Sequence, residues 1–130
     1  MSRTILLIED NEQNRYLATF MLEQSGYRVV SAADGVGGIE AAGRIGPDLI
    51  LLDIQLPKMD GYAVARALRE NPSLQATPIV AVTSYAMVGD REKSLAAGCN
   101  GYIEKPINPD TFVDEISRFL ERAPGAEERP

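Results

Sequence analysis

At 130 residues, with 45% apolar and 25% charged positions, the chain has the size and composition of one globular domain, long enough to bury about two thirds of its unfolded surface. A net charge of −6, from 13 basic against 19 acidic residues, disfavours a general nucleic-acid binder, because phosphate backbones need a basic partner. No apolar run approaches the ~20 residues of a membrane helix, no signal peptide precedes the first strand pattern, and the lone Cys99 cannot form an internal disulfide, so a reducing cytoplasm is expected. Histidine is absent, which excludes His-based catalysis, His metal sites and phosphohistidine carriers.

Strand and helix patterns alternate five times. A strand over Thr4–Glu9 leads to a helix over Glu12–Ser25, with Asn11 as its N-cap and Gly26 as its stop. A second strand over Tyr27–Ala32 precedes a helix over Gly35–Ile45, weakened by Gly37, Gly38 and Gly43 at about 1 kcal/mol each relative to Ala. Pro47-Asp48 opens the third strand, Leu49–Asp53, followed by a loop over Ile54–Asp60. Asp60 caps a third helix over Gly61–Glu70, with Val64, Ala65 and Leu68 as its apolar stripe. A fourth strand over Ile79–Thr83 leads to a helix over Met87–Ala97, whose start competes with a cap at Gly89-Asp90. A fifth strand over Gly101–Glu104 is followed by Asn108-Pro109 as the start of a helix to Arg122, with Phe112, Ile116 and Leu120 at i, i+4, i+8. Residues 1–122 thus form the domain, and Ala123–Pro130, broken by Pro124 and Gly125, reads as a flexible tail.

Five βα units in one domain imply a doubly wound α/β fold, a five-stranded parallel sheet with helices on both faces. Its two common strand orders are the Rossmann and the flavodoxin-like. No Gly-x-Gly-x-x-Gly follows the first strand; Glu9-Asp10-Asn11 stands there and would repel a dinucleotide phosphate.

Polar residues stand at the ends of four of these strands. Glu9-Asp10 follows Ile5–Ile8, Asp53 follows Leu49–Leu52, Thr83 follows Ile79–Val82, and Lys105 lies just past Tyr102-Ile103. Ligands of open α/β sheets bind outside the carboxyl ends of the strands, so these groups converge if their strands are neighbours. The flavodoxin-like order 2-1-3-4-5 makes the first and third strands neighbours.

Asp53 ends the most hydrophobic strand, where a charge is costly unless paired or metal-bound. Glu9-Asp10 is either a solvated loop start or part of the same cluster. With oxygen ligands only, the expected metal is magnesium, with manganese as its substitute. Asp10 and Asp53 would bind it directly, Glu9 through water, and the backbone carbonyl of Gln55 would be a further ligand. Lys105 is either a surface lysine or the point charge for a phosphate oxygen, and Lys105-Pro106 is a place where a cis bond would aim it. Thr83 is either a β-branched strand residue or a hydroxyl donor to a phosphoryl group.

From Thr4 to Arg122 the chain resembles the receiver domain of bacterial two-component response regulators. The resemblance rests on Ile-Glu-Asp-Asn at 8–11, Leu-Leu-Asp-Ile-Gln-Leu-Pro at 51–57, Met-Asp-Gly at 59–61, Val-Thr-Ser at 82–84 and Lys-Pro-Ile at 105–107. The stretch around Ala86–Lys93 and Ala97–Tyr102 is most similar to receivers of hybrid kinases and of DivK-like single-domain cell-cycle regulators. The resemblance implies the flavodoxin-like order, phosphorylation on Asp53, and magnesium held by Glu9, Asp10, Asp53 and the Gln55 carbonyl. It implies further that Thr83 and Lys105 contact the phosphoryl oxygens, that Lys105-Pro106 is cis, and that Tyr102 is the aromatic that turns inward on activation. Ser84 stands where the family has a small residue.

The implied phosphodonor is a sensor histidine kinase or a histidine phosphotransfer protein. The implied product is a switched protein contact through the fourth helix, fifth strand and fifth helix with a downstream signalling protein. The chain is then a phosphoacceptor and not a turnover enzyme, a monomer or phosphorylation-dependent dimer, with no nucleic-acid or membrane partner. A phosphatase with an Asp nucleophile would need a second Asp two residues on, where Gln55 stands, and a metal-dependent nuclease with Asp-x-Asp fails on the same residue. Tyr16 and Phe20, one helical turn apart, are either core or an exposed docking stripe, since Leu17, Met21 and Leu22 are there to serve the core.

Overall fold

The computed structural model describes residues 3–84 and 89–122. Five strands, β1 (Thr4–Ile8), β2 (Arg28–Ala32), β3 (Leu49–Asp53), β4 (Ile79–Thr83) and β5 (Gly101–Glu104), form one sheet in the order β2-β1-β3-β4-β5, all pairs parallel. This is the flavodoxin-like order. Five helices connect and flank the strands: α1 (Glu12–Gln24), α2 (Gly35–Ile45), α3 (Gly61–Arg69), α4 (Asp90–Ala96) and α5 (Phe112–Arg122). Residues 87–88, expected to begin the fourth helix, and 123–130, expected as a tail, lie outside the described residues.

Alternation along each strand divides the core into two layers. Leu6, Ile8, Ile50, Leu52, Ile79 and Ala81 face α2 and α3 and pack on Ala41, Ala42, Val64, Ala65 and Leu68. Ile5, Leu7, Leu49, Leu51, Val80 and Val82 face the other way, onto Ala18 and Leu22 of α1 and Phe112, Ile116 and Leu120 of α5. β3 is buried along its whole length, which is why its sequence is an unbroken apolar run up to Asp53.

Gly38 of α2 has a packing reason. A Cβ on Gly38 would collide with the Ile8 side chain, so the glycine lets α2 lie close over β1. The Asp34 carboxylate caps the helix through the Gly37 N–H at 2.7 Å. Asn11 and Asp60 cap α1 and α3 as expected, accepting from Asn14 N at 2.9 Å and Tyr62 N at 3.0 Å.

Most element ends fall within a residue of the sequence reading, and the differences with a clear cause are these. β2 begins at Arg28, because the Tyr27 N–H is spent on Leu22 O while Gly26 N–H reaches Glu23 O, a Schellman closure of α1. A 3₁₀ turn over Pro72–Leu74, capped by Asn71, sits between α3 and β4 and buries Leu74. The last helix starts at Phe112, not at Pro109. Asn108 instead caps a preceding turn, its side chain accepting from Asp110 N at 2.9 Å and its carbonyl from Thr111 N and Phe112 N.

The loop after β3 folds back onto the strand end. Gly61 N–H donates to Ile54 O at 3.1 Å, and a Cβ at residue 61 would press on Ile54 Cα and lie 2.8 Å from Ile54 O and 2.9 Å from Asp53 O. These are backbone atoms that cannot step aside as a side chain can. Gly61→Ala is therefore expected to destabilise the fold by about 1–3 kcal/mol, the usual cost of overpacking. Urea unfolding of the two proteins side by side checks this.

Candidate functional site

The sheet order places the ends of β1, β3 and β4 side by side. Ile8 pairs with Leu52, and Asp53 pairs with Val82. One carboxylate oxygen from each of Glu9, Asp10 and Asp53 lies within 4.8 Å of the others. Glu9 and Asp53 are each only 4% exposed, whereas Asp10 faces solvent. The first two acids therefore form the floor of the cluster and Asp10 its rim.

Lys105 closes the cluster from β5. Its ammonium lies 2.7 Å from Glu9 Oε1 and 3.3 Å from Asp53 Oδ2. The Lys105–Pro106 peptide bond is cis. The backbone completes the arrangement. Glu9 Oε2 accepts from Asn11 N at 3.1 Å, and Asp53 Oδ1 accepts from Gln55 N at 2.9 Å. Arg15, one turn into α1, donates to the carbonyls of Glu9 and Asp10 at 3.0 and 3.1 Å and so holds the chain leaving β1.

The electrostatics of the cluster are unbalanced, with three carboxylates against one ammonium. Burial raises the pKa of Glu9 above the ordinary carboxylate value; the Lys105 contact pulls it down, but the neighbouring Asp53 adds to the rise. Burial pulls the Lys105 pKa down, yet its hydrogen bond to Glu9 and the charge of Asp53 outweigh this and leave it raised. A raised carboxyl pKa means that ionised Glu9 is disfavoured by folding. Its contribution to stability is full below the unfolded pKa and is lost as pH rises through the higher folded value. A raised lysine pKa places the loss of the Lys105 contribution at alkaline pH, above its ordinary range.

Thr83 and Ser84, at the end of β4, are linked to the cluster by a residue whose side chain had no assigned part in the sequence reading. Gln55 Nε2 lies 2.7 Å from Thr83 Oγ, and Gln55 Oε1 accepts from Ser84 N at 2.9 Å. Only the carbonyl of Gln55 had been singled out. A glutamine two residues past a buried aspartate carries no signal for this bridge, because its partners come from another strand. Tyr102 stands apart from the acids. It is partly buried on β5, against the α2/α3 layer, and borders a groove of about 240 Å³ with Arg91, Ser94 and Leu95 of α4 and Phe119 of α5.

On α1 the sequence reading needs one correction. Leu17, assigned to the core, is 43% exposed. The buried stripe centres on Ala18 and Leu22, and residue 17 is turned about 100° from Ala18 around the helix. Tyr16 and Phe20 share the exposed side at 73% and 51%, their rings stacked 6.5 Å apart. Together the three form an apolar patch beginning one turn into α1, six residues beyond Asp10.

A five-stranded 2-1-3-4-5 sheet with a buried aspartate at the end of β3, two more acids after β1 and a lysine after β5 defines a class of signalling domain. The match to known proteins makes the assignment: residues 5–117 fit the response regulator receiver domain, and the chain belongs to that family of two-component signalling proteins. The polar-differentiation response regulators DivK of Brucella ovis and Brucella anthropi are 38% identical over 120 residues, which is 92% of this chain and 98% of theirs. Among solved structures, the chemotaxis protein CheY4 of Vibrio cholerae superposes with a TM-score of 0.88 at 28% identity, covering 92% of this chain and 99% of that one. The receiver domain of the sensor histidine kinase PA1611 of Pseudomonas aeruginosa is 40% identical with a TM-score of 0.81, covering 94% and 97%, and has a magnesium ion in its active-site cleft. No helix among the described residues is long and apolar enough to cross a membrane.

The donor set here fits such an ion. Every ligand atom on offer is oxygen, the acids stand at the ends of the adjacent strands β1 and β3, and the exposed Asp10 leaves the rim open to water, as an ion that keeps several waters requires. A cation would also offset the burial of Glu9 and relieve the repulsion from Asp53 that adds to its rise. Magnesium is therefore expected to raise the thermal midpoint of the wild-type protein by a few degrees. In Asp10→Asn, the metal-free midpoint should rise and the magnesium increment should largely vanish. Differential scanning fluorimetry with and without the ion reads both.

Proposed function

We propose that this protein is a phosphoacceptor response regulator that takes a phosphoryl group onto Asp53 from a histidine kinase or histidine phosphotransfer protein. The observation that carries this reading is the meeting of Glu9, Asp10 and Asp53 within 4.8 Å, with the Lys105 ammonium 3.3 Å from Asp53. Glu9, Asp10, Asp53 and the Gln55 carbonyl would hold magnesium, which when bound supplies positive charge against the phosphoryl oxygens.

The chain's own groups do the rest. The Asp53 carboxylate is the nucleophile, and its attack on phosphorus forms an acyl phosphate while the donor's nitrogen leaves. The Gln55 N–H holds one Asp53 oxygen, so the carboxylate is oriented before the donor arrives. Lys105 moves from carboxylate to phosphoryl oxygen as charge builds there. Thr83 supplies a hydroxyl from the adjacent strand end. Acyl phosphates hydrolyse, so the mark is temporary.

The signal follows if the phosphoryl group biases two states of the domain. Moving a 1:99 balance to 99:1 takes about 5.5 kcal/mol of differential stabilisation. The movable parts are Thr83 and, one strand over, Tyr102 beside the α4–β5–α5 groove, and that face is the proposed output surface. A DNA or RNA partner is disfavoured by the net charge of −6.

The test of the acceptor is direct. With magnesium and a small phosphodonor, the wild-type protein should incorporate acid-stable, base-labile phosphate, and Asp53→Ala should lose it at least a hundredfold; labelling of that variant at the wild-type level would overturn the assignment.

The input surface is proposed to be the exposed α1 patch, which adjoins the acid cluster and places stacked aromatic rings where a donor must dock. Tyr16→Ala and Phe20→Ala should each slow phosphotransfer from the cognate donor protein about tenfold or more, the cost of a truncated interface anchor. Labelling by the small phosphodonor should be unchanged, since it needs no docking.

A further inference from the structure

Gln55 ties together the two strand ends that a phosphoryl group on Asp53 would have to bridge. Its backbone N–H holds Asp53 Oδ1 at 2.9 Å, and its side chain holds the end of β4 at two points. The amide orientation follows from chemistry. Ser84 N–H can only donate, so the oxygen of the amide must face it, and the NH₂ must then face Thr83. The Thr83 oxygen therefore accepts from Gln55 at 2.7 Å, while the Ser84 N–H is taken by Gln55 at 2.9 Å.

These are the same two groups that β4 offers to an anion beside Asp53. Phosphoryl oxygens are acceptors and need donors. From β4 those donors are the Thr83 hydroxyl and the Ser84 N–H. In the present state Gln55 Oε1 occupies the second, and Gln55 Nε2 tethers the oxygen of the first, whose O–H still has a proton to donate.

We infer that the Gln55 side chain is a latch that holds Thr83 and Ser84 away from the phosphoryl position, and that phosphorylation must displace it. This rests on the reading of Asp53 as phosphoacceptor and names a positioning residue within that site. Gln55 makes no contact with the acids through its side chain and acts through Thr83 and Ser84. Its exposed position lets the amide swing into water once displaced, so the latch can open without disturbing the core. The consequence is a raised threshold. Part of the free energy of engaging the phosphoryl group is spent on breaking the latch, and the unphosphorylated protein is held off.

The experiment uses Gln55→Met, which keeps the length of the side chain and the backbone N–H to Asp53 but removes both polar atoms. Beryllofluoride with magnesium stands in for the phosphoryl group, and its affinity is measured for wild type, Gln55→Met, Thr83→Val and the double variant. Gln55→Met should bind it about five- to tenfold more tightly than wild type, the worth of the net hydrogen bonding no longer opposed. The gain should shrink when residue 83 is Val. In the magnesium-free, beryllofluoride-free protein, the Ser84 amide proton should shift upfield and exchange faster in Gln55→Met, with the amides of β3 unchanged. A merely structural glutamine would give the opposite sign, weaker binding on its removal. Unchanged or weaker binding of beryllofluoride by Gln55→Met, with wild type binding normally, overturns the latch alone. Failure of wild type itself to bind beryllofluoride overturns the phosphoacceptor reading and the latch with it.

Discussion

A carboxylate buried at the end of the central strand sets the terms for the rest of this molecule. β3 is enclosed on both faces, and Asp53 stands at its end almost out of contact with solvent. An unpaired charge there would cost several kcal/mol. The compensation comes from two directions, the Gln55 N–H from the loop that follows and the Lys105 ammonium from β5. Since β4 lies between β3 and β5, and neighbouring strands are about 4.8 Å apart, the compensating cation has to reach across about 10 Å. Only a long side chain does this, which is why a lysine just past a strand end suits the role.

That solution leaves the site short of positive charge. Lys105 divides itself between Glu9 and Asp53, and Asp10 adds a third carboxylate at the rim. Glu9, buried first of all and beside Asp53 as well, holds its proton to higher pH than an ordinary carboxyl. A protein selected for stability alone would remove one of these acids. Their retention in one place is the familiar exchange of stability for a charged site that becomes comfortable only with its ligands. The same excess of negative charge explains why a hard cation belongs there and why an anionic phosphoryl group would need both the cation and the lysine.

Around this centre the surfaces are sorted by element. The apolar patch of Tyr16, Leu17 and Phe20 is on α1, just past the acids of β1. The groove beside Tyr102 lies between α4, β5 and α5, and α5 shares its face of the sheet with α1. The link between patch and groove runs through the end of β4, where Gln55 grips Thr83 and Ser84 and where the Lys105 N–H bonds to Thr83 O at 2.7 Å. The proposed phosphate chemistry on β3 and the side-chain position on β5 thus meet at one short stretch of backbone.

Much of this was legible in the chain itself. The runs Ile5–Ile8, Leu49–Leu52 and Ile79–Val82 read as buried strands, and the polar residues ending the first and third of the sheet's strands marked the edge where the acids gather. Asn11 and Asp60 announced their helices, because a cap is a local hydrogen bond read from a few residues. Which side of α1 faces the core was misjudged at Leu17, since periodicity gives a stripe but not its rotation against a particular sheet. Asn108-Pro109 marked a turn rather than the first turn of α5 for a related reason: a capping side chain serves either. What only the tertiary structure decided are the contacts between strands: Lys105 on Glu9 and Asp53, Arg15 on the carbonyls after β1, and Gln55 across to Thr83 and Ser84. Residues 55 and 83 are 28 positions apart, and no local pattern encodes their meeting. Their contact exists because β3 and β4 pair in one register, and register is fixed by packing of the whole sheet.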